Sequence, residues 1–150
     1  MKIQYYQEAS LKEDYVEVHF REETEQIEAV RSFFDSCNRI AGKQEDGVKM
    51  LHPGSNYYLE FVERKLFACQ EKEVYQIEDS LQHFLERFAD QGFVRIGKST
   101  GVNLCKVSRI RADLNMRLRL YMDNGEMLIL NRTYKKSFMD ALQRMQLRSK

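Results

Sequence analysis

The sequence predicts an α+β protein, mainly antiparallel β, in which a small N-terminal β-β-α unit precedes a larger strand-rich domain with two short helices. Three observations predict it. From Val48 onward, short alternating or apolar runs are separated by turn residues. Two stretches in that part, around Leu81–Phe88 and Tyr134–Met145, place apolar residues three and four apart, which is the helical period. Before Val48, two alternating runs are followed by one helical stripe. At 150 residues the chain can bury a proper core, and no apolar run approaches the roughly 20 residues that span a bilayer.

Taken in order, Met1–Gln7 and Tyr15–Arg21 are expected as strands, joined by a turn at Glu8–Asp14. In the second, Val16, Val18 and Phe20 alternate with Tyr15, Glu17 and His19. A helix is expected from about Thr24, with Glu25 near its start, where the helix dipole favours negative charge, and an end near Gly42. The segment Gly42–Gly47 is the most linker-like in the chain, so the expected units are 1–47 and 48–150. Strands follow at Val48–Leu51, Tyr57–Val62 and Leu66–Gln70, with Glu63-Arg64-Lys65 as a turn and Glu73–Gln76 as a further arm. Leu81, Phe84, Leu85 and Phe88 form one helical stripe, closed by Gly92. Phe93–Ile96 and Val107–Arg111 are β-type runs flanking a polar knot of Gly, Ser, Thr and Asn with turn chemistry. Met116–Met122 alternates, Asp123-Asn124-Gly125 is a hairpin turn signal, and Glu126–Leu130 returns. Asn131 is positioned to cap a last helix.

The formal net charge of +1 hides an asymmetry. Residues 1–48 hold six Lys/Arg against eleven Asp/Glu, and residues 49–91 five against eight. From Gly92 onward the count is thirteen against four. One basic third gives a polarised surface that attracts polyanions. Arg95, Lys98, Lys106, Arg109 and Arg111 crowd the central stretch with no acidic residue between them. Three cysteines, widely spaced and odd in number, suit reduced thiols and a cytoplasmic location, and buried small hydrophobes are the expectation for them.

Catalysis finds little support. His19, His52 and His83 fall on different expected elements, and the phosphate-loop, dinucleotide and zinc-protease motifs are absent. We therefore expect no enzyme, no catalytic residues, no metal, no cofactor and no small-molecule substrate. Cationic turns are the better lead. Arg64, Lys98 and Arg132 each sit in a turn or a strand-to-helix junction, and if these loops share one side they present three cations together. Guanidinium groups fork onto guanine or phosphate, and Ser, Thr and Asn complete phosphate contacts. Double-stranded DNA is the favoured partner. The alternative is a protein- or anionic-lipid-interaction module using the basic C-terminal face.

Phe93-Val94-Arg95-Ile96-Gly97-Lys98-Ser99-Thr100-Gly101-Val102-Asn103-Leu104 resembles the F-x-R-x-H-[RK]-S-hydrophobic-x-V-N signature of the LytTR DNA-binding domain family. The likeness continues through Leu118, Leu120 and Asn124-Gly125 to Asn131-Arg132-x-Tyr134, and upstream through Tyr57–Glu60, Arg64 and Ile77-x-x-Ser80-Leu81. It covers Val48 to Leu142. The resemblance implies an elongated β fold whose loops enter successive major grooves at paired direct repeats, in a dimeric transcriptional regulator. It carries DNA contact onto Arg64, Lys98 and Arg132, with Ser99, Asn131 and Lys135 in support, and makes Val102 and Asn103 structural. Gly97 stands where His is common, Thr100-Gly101 where larger residues are usual, and Asn131 where Ser is usual. The chain also resembles the short LytTR regulators that lack a receiver domain and are often paired with a membrane protein that restrains them. Residues 1–47 are accordingly expected to dimerise or to dock such an inhibitor; the other reading is a flap that completes the core of the β domain.

Overall fold

The computed structural model describes residues 1–12 and 14–148. Glu13, inside the expected 8–14 turn, lies outside the described residues, as do Ser149 and Lys150 at the end of the expected 48–150 unit. The N-terminal strands do not form. Among the described residues, none before Ile40 belongs to a strand. The first helix, α1 (Glu25–Cys37), does form, and Thr24 caps it by accepting a hydrogen bond from the Ile27 N–H. It stops at Asn38, whose N–H reaches the Phe34 and Asp35 carbonyls, well short of Gly42.

The expected linker is instead a hairpin. Strands β1 (Ile40–Gln44) and β2 (Gly47–Leu51) pair in register from Ile40↔Leu51 to Gln44↔Gly47, so a boundary at 47 cuts through them. Gly42 is a close-packing residue in β1. A Cβ there would lie 2.5 Å from Leu51 Cδ1 and 2.8 Å from Tyr75 Cβ. The remaining elements are β3 (Tyr58–Val62), β4 (Lys65–Cys69), β5 (Val74–Ile77), α2 (Leu81–Arg87), β6 (Phe93–Gly97), β7 (Thr100–Asn103), β8 (Val107–Ala112), β9 (Leu118–Met122), β10 (Met127–Leu130) and α3 (Lys135–Arg148). The fold is thus mainly antiparallel β with three helices. A seven-stranded sheet runs in the order β2-β1-β5-β4-β3-β7-β6, and a three-stranded sheet in the order β10-β9-β8.

Two cores cover the two faces of the larger sheet. On one, Leu81, Phe84, Leu85 and Phe88 of α2 bury against Leu59, Leu66, Ala68 and Phe93. On the other, Ile96 and Val102 meet Leu118, Leu120, Met122 and Leu130 of the small sheet and Phe138 of α3. The polar knot holds a strand that its composition does not advertise. β7 pairs with β3 on one side and β6 on the other, one strand in from the edge of the large sheet. Gly101 is small because Leu85 presses on it; a Cβ would come within 2.6 Å of Leu85 Cδ2. Asn103, buried at the end of β7, donates to the Gly54 and Asn56 carbonyls and accepts from the Cys105 N–H, which holds the neighbouring loop in place. Of the cysteines, only Cys69 is buried; Cys37 and Cys105 are exposed, and all three are free thiols.

Candidate nucleic-acid interface

Three turns converge on one end of the large sheet. The first joins β3 to β4. Val62 pairs with Lys65, leaving a two-residue loop in which Glu63 (φ 50°) and Arg64 (φ 65°) are both left-handed. That geometry matches the twist of a tight hairpin, but it normally selects Asn or Gly, and each larger residue there costs on the order of 1 kcal/mol. The second turn joins β6 to β7. Gly97 pairs with Thr100, so Lys98 and Ser99 form the tip, and a register shift between Arg95 and Gly97 bends the approach. The third is the junction from β10 to α3, where Arg132–Tyr134 makes one 3₁₀ turn before the helix.

Two backbone hydrogen bonds stitch these turns together. The Phe61 N–H donates to Ser99 O at 2.8 Å, tying the second turn to the strand that leads into Arg64. The Asn131 N–H donates to Ile96 O at 2.9 Å, fixing the third turn against the outer edge of β6. In strand order the end therefore presents Arg64, then Lys98 and Ser99, then Asn131, Arg132 and Lys135. The first two turns stand about two strand spacings apart, roughly 10 Å. All six side chains are exposed, and none of the four cations has an ion pair among those found for the described residues. Asn131 does not cap a helix with its side chain. Its Nδ2 instead lies beside Gly97, 3.5 Å from where a Cβ would be.

The five cations of the central stretch part company. The Arg95 guanidinium donates to Lys98 O at 2.6 Å and braces the second turn from within. Lys106 lies over the Tyr57 ring, 5.3 Å from its centroid. Arg109 and Arg111 stand exposed on β8, opposite Tyr121 and Arg119 of the small sheet. One loop at this end escapes a reading of charge spacing. Leu118 pairs with both Leu130 and Ala112, so residues 113–117 emerge beside the third turn, with Leu114 fully exposed. Asp113 there sits 3.8 Å from Arg117 and 3.6 Å from Arg119, taking up both charges. The alternation of Leu118–Met122 is the sequence signal that could have placed it.

Nothing among the described residues gathers three or more His, Cys, Asp or Glu side chains in a way that could hold a metal ion. Burial pushes the Cys69 thiol up to about 11, so it is protonated at neutral pH. Burial, with the Glu126 carboxylate accepting from it, likewise raises Tyr58. No helix among the described residues is long and apolar enough to cross a membrane.

Residues 46–143 match the model of the LytTr DNA-binding domain. The chain belongs to that family. A solved LytTr DNA-binding domain from Bacillus cereus superimposes with a TM-score of 0.65 at 27% identity, covering 69% of this chain and 95% of that one. The sensory transduction protein LytT of Enterococcus faecalis is 24% identical over 98 residues, 65% of this chain; the match spans only 40% of the enterococcal protein. A Staphylococcus aureus protein named as an HTH-type transcriptional regulator is 20% identical over 145 residues, 95% of this chain and 98% of its own length. That last alignment takes in the N-terminal segment, which the LytTR domain match leaves out. The LytTR match begins within the β1–β2 hairpin and ends in α3, so it includes all three turns.

Proposed function

We propose that this protein is a transcriptional regulator that binds double-stranded DNA sequence-specifically, as a homodimer in the cytoplasm, with its turns entering successive major grooves at paired direct repeats. The observation that supports this best is the stitching of three cationic turns to one sheet end by the Phe61–Ser99 and Asn131–Ile96 hydrogen bonds. A two-residue hairpin tip is narrow enough for a major groove about 12 Å wide. Arg64 and Arg132 bring guanidinium forks suited to guanine O6 and N7, and Lys98 brings a point charge between them. Ser99, Asn131 and Lys135 flank these as phosphate contacts. The left-handed backbone at Arg64 favours the same reading, because strained turn residues concentrate at functional sites. Residues 1–47 serve assembly, by dimerisation or by docking a membrane-protein inhibitor. DNA binding of this kind calls for no cofactor and no small-molecule substrate.

Selection of bound duplexes from a random library, repeated with Arg132→Ala, tests the proposal. The expected result is an enriched pair of direct repeats, with discrimination lost at one position in each repeat for the variant, at a cost of about 1–3 kcal/mol. Affinity should fall with salt at a log–log slope of about −0.9 per phosphate neutralised. Enrichment of no sequence, with binding that follows salt alone, would contradict it.

A further inference from the structure

The N-terminal segment has the pattern of a strand without the ladder of one. Val16, Val18 and Phe20 alternate with Tyr15, Glu17, His19 and Arg21. His19 Nε2 lies 3.2 Å from Glu17 Oε2, the same-side spacing of an extended chain. Yet among the described residues 1–23 the only backbone–backbone hydrogen bond runs from the Leu11 N–H to Glu8 O. An alternating segment with unpaired N–H and C=O groups is a template for strand addition. Its apolar side is also open. Val16, Val18 and Phe20 line, together with Val30 and Phe34 of α1, a cleft of about 540 Å³. Among the described residues before Ile40, only Ile27 is buried.

We infer that a second copy of this chain covers this surface, by antiparallel pairing of Tyr15–Arg21 with its own counterpart across a two-fold axis at Val18. The segment is self-complementary in that register. Val18 meets the partner's Val18, Val16 meets the partner's Phe20, Glu17 meets the partner's His19, and Tyr15 meets the partner's Arg21. These are apolar, hydrogen-bonding and cation-on-ring pairs, each of a kind that stabilises a ladder. Moving the axis to Glu17 would oppose two carboxylates, and moving it to His19 would oppose two imidazoles. One step beyond Tyr15, Asp14 would face the partner's Glu22, which ends the ladder. Two short strands alone are marginal. Here the Val16, Val18 and Phe20 side of each strand faces its own α1 across the cleft, so the pair becomes a small sheet over two helices. The contact is isologous and closes at two copies. This deepens the dimeric reading proposed above and rests on it for its purpose, whereas DNA recognition by the sheet end does not depend on it.

The test uses the full chain with Cys37→Ser and Cys105→Ser, the two exposed thiols. Under mild oxidation Val18→Cys should form a covalent dimer, because the two residues face each other at disulfide reach. Val16→Cys alone should not, since in this register the two copies of residue 16 lie roughly 13 Å apart. A mixture of Val16→Cys and Phe20→Cys chains should cross-link again. By light scattering, Glu17→Lys should weaken the dimer about tenfold or more, and Glu17→Lys combined with His19→Glu should restore it. Binding to a duplex with a single repeat, unchanged in Glu17→Lys, reports the fold and the DNA reading separately. A wild-type monomer at about 100 μM, equal cross-linking of Val16→Cys and Val18→Cys, or no rescue by the charge exchange would overturn the inference. Loss of duplex binding with the dimer intact would overturn the DNA reading and leave this one standing.

Discussion

Residues 15–21 and residues 118–122 carry the same alternation of apolar and polar side chains. β9 is flanked by β8 and β10, and its Leu118, Leu120 and Met122 are buried over Phe138. Among the described residues the N-terminal segment has no neighbouring strand, and Tyr15, Val16, Val18 and Phe20 all stay exposed. Alternation states which face a strand would bury. A strand exists only where another backbone takes up its N–H and C=O groups. The difference between the two regions is therefore one of partners: β9 finds them within the chain, and no strand among the described residues pairs with residues 15–21.

Phe138 is fully buried in the core that α3 shares with both sheets. Phe138→Ala should cost about 3–5 kcal/mol in urea unfolding. Phe20→Ala, at a residue 46% exposed, should cost within about 0.5 kcal/mol under dilute, monomeric conditions. Gly101→Val should destabilise by about 1–3 kcal/mol through overlap with Leu85. Gly97→Ala, whose new Cβ would find its nearest neighbour at 3.5 Å, should change stability by less than about 0.5 kcal/mol. The smallest effect is on thiol chemistry. Iodoacetamide should label Cys37 and Cys105 in the native protein and spare Cys69 even at about pH 9, since that buried thiol stays protonated until about 11.

Much of this fold can be read from residues alone, for identifiable reasons. The stripe Leu81, Phe84, Leu85 and Phe88 and the Asp123-Asn124-Gly125 turn carry local signals that the tertiary structure agrees with; Gly125 has φ 88°. β1 and β7 do not. Ile40–Gln44 looks like the tail of a helix and Thr100–Asn103 like a loop, because their glycines are set by distant neighbours, Leu51 with Tyr75 for Gly42 and Leu85 for Gly101. The site follows the same division. Arg64, Lys98 and Arg132 are visible as cations in turns, whereas their meeting at one end depends on β3, β7 and β6 lying side by side. Charge density alone groups Arg95 with Lys98, Arg109 and Arg111, yet Arg95 braces a turn and the last two lie on the other sheet. Proximity in sequence says little about which charges share a surface once a chain reverses this often.

We propose that the three turns form one ordered reading edge. It is tested most directly by determining, for Arg64→Ala, Lys98→Ala and Arg132→Ala in turn, which positions of the selected duplex lose discrimination. Separate positions are expected for each, with those of Lys98 lying between those of Arg64 and Arg132 in every repeat, as the strand order places the turns. Unchanged preference in all three variants, or Lys98 positions lying outside the interval, would contradict it.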